Sequence, residues 1–183
     1  MKTKHYKNAK SAAKFAVTCA LACAFMCVGA MLSIPFAVPI TMQTFALWFC
    51  LFYLGGKEAS AAVFVYILIG SLGVPVFSGF SGGISRILDA GGGFIFGLAL
   101  TALIYSALSF LLPKSCFFTI VSAVISHLVL YASGALWYAF VYLGGGADAL
   151  ISSITVCVLP FVVPDAAKLF LAYILAKRLP KLK

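Results

Sequence analysis

Asp165 and Lys168 stand three residues apart inside the apolar run from Pro160 to Ala176, and two opposite charges in such a stretch need a reason. Residues three apart share a face of a helix, and each charge at bilayer depth costs about 2.5 to 3.5 kcal/mol on insertion scales. A carboxylate and an ammonium on one face make a polar site that can accept hydrogen bonds from a small molecule and donate to it. The competing reading is an internal pair that only locks helices together. Pro164, just before Asp165, predicts that one helical segment ends there and a new one opens. Asp165 then falls in the first turn of a half-helix, where free backbone N–H groups and the helix dipole favour a carboxylate.

Other residues able to take part in such a site are scattered. Thr41, Gln43 and Thr44 open an apolar run and offer hydrogen-bonding groups near a membrane face. Arg86 and Asp89, again three apart, read either as a surface pair or as ligand contacts. Gly91, Gly92 and Gly93 permit close approach of backbone to a ligand or to another helix. A glycine-rich phosphate cradle is set aside, because no Lys-Ser/Thr follows and no strand precedes. His127 has no carboxylate beside it in sequence and reads as a hydrogen-bonded packing residue. Cys19, Cys23 and Cys27 share a helical face, but no His, Asp or Glu stands beside them, so they read as small buried thiols and no metal site is expected. No cofactor is expected either. The pattern of a nucleophile with a base is missing around His127 and Asp165, so the chain does not read as an enzyme.

The elements that must position these groups are spans. Of 183 residues 64% are hydrophobic and only 9% charged, against about 45–50% apolar residues in soluble domains. The reading is a single all-α integral membrane domain. The net charge of +9 is concentrated at the ends, in Lys2, Lys4, Lys7, Lys10 and Lys14 and in Lys177, Arg178, Lys181 and Lys183. That distribution speaks for topology rather than nucleic-acid binding, and places both termini in the cytoplasm with an even number of spans between them. An N-terminal signal peptide is rejected, since residues 15 to 34 are long enough to cross and no small-residue cleavage site is convincing. Six approximate spans follow, 15–33, 41–55, 58–72, 93–112, 116–143 and 150–177. The second and third are short unless flanking residues join them.

Between the spans, Pro35 and Pro39 force an extended external passage, and Gly55-Gly56-Lys57-Glu58 makes a tight cytoplasmic turn. The glycine-rich segment from Gly70 to Gly93 reads as a long external loop. Val74, Val76, Phe77 and Phe80 are its candidates for covering a pocket as a lid. On the first span Ala12, Ala16, Ala20 and Ala24 repeat every four residues, a stripe that lets another helix approach closely, from within the chain or from a partner.

The stretch from Pro35 to Phe94 closely resembles the BioY family, the biotin-binding substrate-capture (S) components of energy-coupling factor (ECF) vitamin transporters. The resemblance rests on Pro35-x-x-x-Pro39-Ile40-Thr41-x-Gln43-Thr44, Leu54-Gly55-Gly56-Lys57, Gly70-x-x-Gly73-x-Pro75-Val76-Phe77, Gly82-Gly83, Gly92-Gly93-Phe94-x-x-Gly97 and Asp165-x-x-Lys168. It departs at Asp89-Ala90-Gly91, where the family has Gly-Pro-Thr, at Phe94 in place of tyrosine, and at Val163-Pro164 in place of Pro-Gly. What the resemblance implies is a six-helix membrane bundle with a vitamin pocket near the outer face, capped by loops. Biotin is its ligand, a transmembrane coupling subunit and ATP-hydrolysing subunits are its partners, and a homo-oligomer working without them is the other assembly it allows. In that frame Asp165 and Lys168 match the ureido N–H and carbonyl groups of biotin, Thr41, Gln43, Gly92 and Gly93 belong to the pocket, Arg86 or loop backbone N–H groups meet the ligand carboxylate, and Ala12, Ala16 and Ala20 dock the coupling subunit. A stand-alone secondary transporter is the alternative, but such proteins carry interrupted helices in both halves and more ionisable groups for ion coupling.

Overall fold

A computed structural model describes the backbone of residues 2–180 and the side chains of residues 10–180. Lys181 and Lys183, and the side chains of Lys2, Lys4 and Lys7, lie outside the described residues. The chain runs α1 (Lys2–Met31), a two-residue antiparallel pair β1 (Ser33–Ile34) and β2 (Ile40–Thr41), α2 (Gln43–Tyr53), α3 (Gly56–Ser71), the short α4 (Ile84–Leu88), α5 (Gly92–Leu111), α6 (Cys116–Trp137), α7 (Ala147–Cys157) and α8 (Leu159–Arg178). A π-helical turn over Tyr138–Tyr142 prolongs α6.

Among the described residues, four helical stretches are long and apolar enough to cross a bilayer: Lys10–Met31, Gly92–Leu111, Cys116–Tyr142 and Ala147–Arg178. The second and third expected spans are shorter as helices, 11 residues in α2 and 16 in α3. At 1.5 Å per residue α2 rises only about 16 Å, half the hydrocarbon thickness. Upstream, Pro35 and Pro39 keep residues 33–41 out of helix, and the chain forms the β1–β2 hairpin there instead.

The last span departs from expectation. α8 opens at Leu159, not at Pro164: the break lies at Val158 (φ −117°, ψ −58°), Pro160 occupies the first turn, and Pro164 sits inside the helix. Pro160 fits there because the first-turn N–H groups have no intrahelical acceptor anyway. Asp165 therefore stands in the second turn of α8, and side-chain partners rather than free helix N–H groups must satisfy it.

Side-chain size sets the packing of the bundle. α5 lies closest against α6, because Gly93 and Gly97, one turn apart, remove the Cβ atoms that would strike Trp137 and Ser133, while the Phe94 ring fills the place of a side chain at Gly134. α2 packs on α8, and α1 lies along α2 and α3. The centre is filled by Met26, Leu47, Trp48, Leu51, Val63, Tyr66, Phe77 and Leu130, all essentially without solvent access. Cys19, Cys23 and Cys50 pack in or beside this core as free thiols, and Cys157 is buried in a second cluster with Val38, Tyr131 and Phe161.

The segment between α3 and α5 is more ordered than a long loop. Phe77 bridges to Ser81, its ring seats against Gly70, and Val76 receives a hydrogen bond at its carbonyl from Tyr66 Oη (3.1 Å). Of the expected lid residues, Val76 and Phe77 point inward, whereas Val74 and Phe80 are exposed.

Candidate functional site

Asp165 is 3% exposed and Lys168 9%, and their charged ends meet, with Lys168 Nζ donating to Asp165 Oδ1 at 2.9 Å. Buried charges survive only when their remaining donors and acceptors are also satisfied, and the surrounding elements supply the partners. From the start of α2, Thr44 Oγ1 donates to Asp165 Oδ1 (2.8 Å) and lies 3.4 Å from Lys168 Nζ. From β2, the carbonyl of Thr41 accepts from Lys168 Nζ (2.7 Å). From α6, Tyr131 Oη donates to Asp165 Oδ2 (3.1 Å), and His127 Nε2 faces the same oxygen at 3.4 Å. Behind His127, Trp48 Nε1 of α2 donates to its Nδ1 (3.0 Å). The pair is thus the hub of a network joining α2, α6, α8 and the β1–β2 hairpin.

One side of this hub opens into a small cavity of about 70 Å³. Asp165, Lys168, Thr41, Gln43 and Thr44 form its polar end. Its walls are apolar and aromatic: Phe94 and Phe161, stacked with ring centroids 6.0 Å apart, with Leu98 and Leu130 beyond them. Phe77, Ser78 and Arg86 of the α3–α5 segment close it from above, and Val38 and Pro39 of the hairpin from the side.

Two polar groups in this lining have donor capacity for a ligand. Gln43 Nε2 is shielded from solvent and has no hydrogen-bond partner among the described residues. Arg86 is braced by Asp89 Oδ2 (2.5 Å) and Ser78 Oγ (3.2 Å) while still lining the cavity, so the guanidinium is held at its rim. Asp89 is fixed in turn, its carbonyl accepting from Trp137 Nε1 at 3.1 Å.

The residues singled out in the sequence are brought together unequally. Asp165, Lys168, Thr41, Gln43 and Arg86 share the cavity. Gly92 and Gly93 do not line it. A Cβ on Gly92 would collide with the Ile87 carbonyl and one on Gly93 with Trp137, so these glycines serve the packing of α5 against α4 and α6, and Gly91 is the one that reaches the cavity. Ala12, Ala16, Ala20 and Ala24 lie far from it on the exposed face of α1, while Cys19, Ala22, Cys23 and Met26 of the same helix face the core. His127, Tyr131 and Trp48 escaped the sequence reading as site residues. His127 does pack with a hydrogen bond, accepted from Trp48, but a carboxylate also stands beside it in space, contributed by a helix 38 positions downstream of it. The available signal was the His127 and Tyr131 pair, two polar rings one turn apart in an apolar run.

The family model of BioY matches residues 1–183. The chain belongs to the BioY family. Among BioY relatives, the probable biotin transporter BioY of Pyrococcus horikoshii is 37% identical over 143 residues, which cover 78% of this chain and 80% of that protein. The biotin transporter BioY of Thermotoga maritima is 34% identical over 152 residues, covering 82% and 86%. The crystal structure of the S-component for biotin from an ECF-type ABC transporter superposes with a TM-score of 0.77 at 22% identity, covering 92% of both chains, and shows that this chain shares its fold. It is a multi-pass membrane protein of a transporter family.

Proposed function

We propose that this chain is the biotin-binding S component of an ECF-type vitamin transporter, capturing biotin at the outer face and delivering it inward with a transmembrane coupling subunit and ATP-hydrolysing subunits. The observation that carries the reading is the buried Asp165–Lys168 pair at the polar end of an otherwise apolar and aromatic cavity, in a chain of the BioY family. Biotin presents a ureido ring with two N–H donors and one carbonyl acceptor, fused to an apolar ring and chain. A carboxylate and an ammonium side by side complement the ureido edge.

Thr44 makes the exchange possible. Its hydroxyl holds Asp165 Oδ1 and stands within 3.4 Å of Lys168 Nζ, and it lines the cavity. One rotation about Cβ–Oγ releases an acceptor site on Asp165 for a ureido N–H and, with a small shift of Oγ, a donor on Lys168 for the ureido carbonyl. Gln43 Nε2 supplies a further donor at this end, and Arg86, at the rim, meets the valerate carboxylate. The segment from Gly73 to Gly91 closes over the ligand as a lid. On α1 the exposed alanine stripe docks the coupling subunit through close helix contact.

Both termini lie in the cytoplasm. Lys14, Lys57, Lys114 and Lys177 edge two adjoining grooves at one end of the bundle, and Arg86 caps the cavity built from the other parts of the chain. Basic residues gathered at one end support that end as the inner one. The sequence carries no P-loop, so ATP hydrolysis belongs to other subunits.

The test is calorimetry or native mass spectrometry of the purified protein against a panel of vitamins. Biotin should bind at one site per chain, and another vitamin binding in its place would defeat the assignment.

A further inference from the structure

Trp48, His127 and Tyr131 take no part in lining the cavity, yet all three are buried and connected to the carboxylate that does. Their chemistry is ordered. An indole N–H only donates, so the His127 Nδ1 that receives it at 3.0 Å carries no proton, and the hydrogen of the neutral ring sits on Nε2. That N–H faces Asp165 Oδ2 at 3.4 Å, long for a hydrogen bond, and it has no closer acceptor among the described residues. Trp48 is itself wedged between Phe52 and Tyr105, with ring centroids 5.5 Å away on each side, so its N–H cannot swing elsewhere. Tyr131, edge-on to His127 at 4.6 Å, donates to the same Oδ2. Oδ2 is therefore gripped from α6, leaving Oδ1, on the Thr44 and Lys168 side, as the oxygen that can change partners.

We propose that Trp48 and His127 form a relay that positions Asp165 for its ligand. The indole N–H fixes the imidazole as the neutral Nε2–H tautomer, and that N–H keeps Oδ2 turned away from the cavity so that Oδ1 alone faces the ureido N–H. Neither residue touches the ligand; both are positioning residues that set specificity for a ring N–H donor. A neutral relay also leaves the charge of the Asp165–Lys168 pair balanced. The inference rests on the proposed role of Asp165 as the ureido acceptor.

Two measurements test it. Nitrogen-15 NMR of histidine-labelled protein, with the His127 signal assigned by its loss in His127→Phe, should show the Nε2–H tautomer without ligand, and Trp48→Phe should give a mixture of tautomers. Calorimetry then compares biotin with an analogue methylated on the ureido nitrogen that faces Asp165. The parent should prefer biotin strongly, and His127→Phe should reduce that preference by about tenfold or more through weaker biotin binding. His127→Gln, which keeps an N–H donor, should restore most of it, which a packing role would not do. If His127→Phe fails to fold, Trp48→Phe takes its place, with the same loss of preference expected. An Nδ1–H tautomer in the parent, or a folded variant that keeps the parental preference, overturns the relay. Absence of biotin binding by the parent defeats the role of Asp165, and positioning with it, while the nitrogen spectrum separately decides the tautomer lock.

Discussion

A carboxylate as deeply buried as Asp165 persists because Lys168, Thr44 and Tyr131 all donate to it, from three helices, with His127 close behind. Stranding one charge of a buried pair costs about 3–5 kcal/mol, so binding assays on variants need a melting curve beside them. Asp165→Asn keeps the shape but replaces half of the acceptor capacity with a donor facing a ureido N–H. We expect biotin affinity to fall more than tenfold, about 1.4 kcal/mol or more. If Asp165→Asn and Lys168→Ala both stay folded and bind like the parent, the pair is structural. Thr44→Val tests the exchange from the other direction. It removes an internal partner of both charges and should destabilise the empty protein by about 1–3 kcal/mol. Because biotin then displaces nothing, the rise in melting temperature on adding biotin should be larger than in the parent, and an equal or smaller rise would remove Thr44 from the mechanism.

At the scale of elements, α1 separates two faces cleanly: Cys19, Cys23, Met26 and Ala30 are buried, and the alanines at 12, 16, 20 and 24 are not. Ala16→Trp should therefore leave folding and biotin binding intact while abolishing co-purification with the coupling subunit, and retention of the partner would return the stripe to the lipid. The α3–α5 segment is pinned at Phe77, Ile87 and Asp89 but exposes Val74, Phe80, Ile84 and Leu88. Hydrogen exchange over residues 73–91 should fall when biotin is added, and unchanged exchange would count against a lid. These faces and the polar hub differ in how visible they are in the sequence. Charges inside an apolar run single out Asp165 and Lys168, and spacing of four singles out the alanines, because both signals are local. The contact of His127 with Asp165 joins residues on different helices, and no periodicity encodes it. Gly92 and Gly93 misled because the absence of a Cβ serves a neighbouring helix as readily as a ligand, and Pro164 misled because Pro160 had already opened the helix.

The molecule as a whole has a chemical polarity: the cavity with its hydrogen-bonding hub is assembled from the hairpin, the α3–α5 segment and the middle of α8, and the lysines collect around the α2–α3 and α5–α6 turns and the end of α8. That arrangement gives the proposed orientation a test with native residues alone. Cys19, Cys23, Cys50 and Cys157 are buried and Cys27 is half-buried, whereas Cys116 is exposed at the start of α6, two residues after Lys114. Reaction with a maleimide that cannot cross the bilayer requires an accessible thiolate, so Cys116 should dominate labelling. With the lysine-rich end inside, inverted vesicles should label and right-side-out cells should not, until permeabilised. Cys116→Ser should abolish the signal in either case. Labelling of intact cells at Cys116 would put the lysine-rich end outside and the cavity within, and a capture subunit could not then load biotin from the medium.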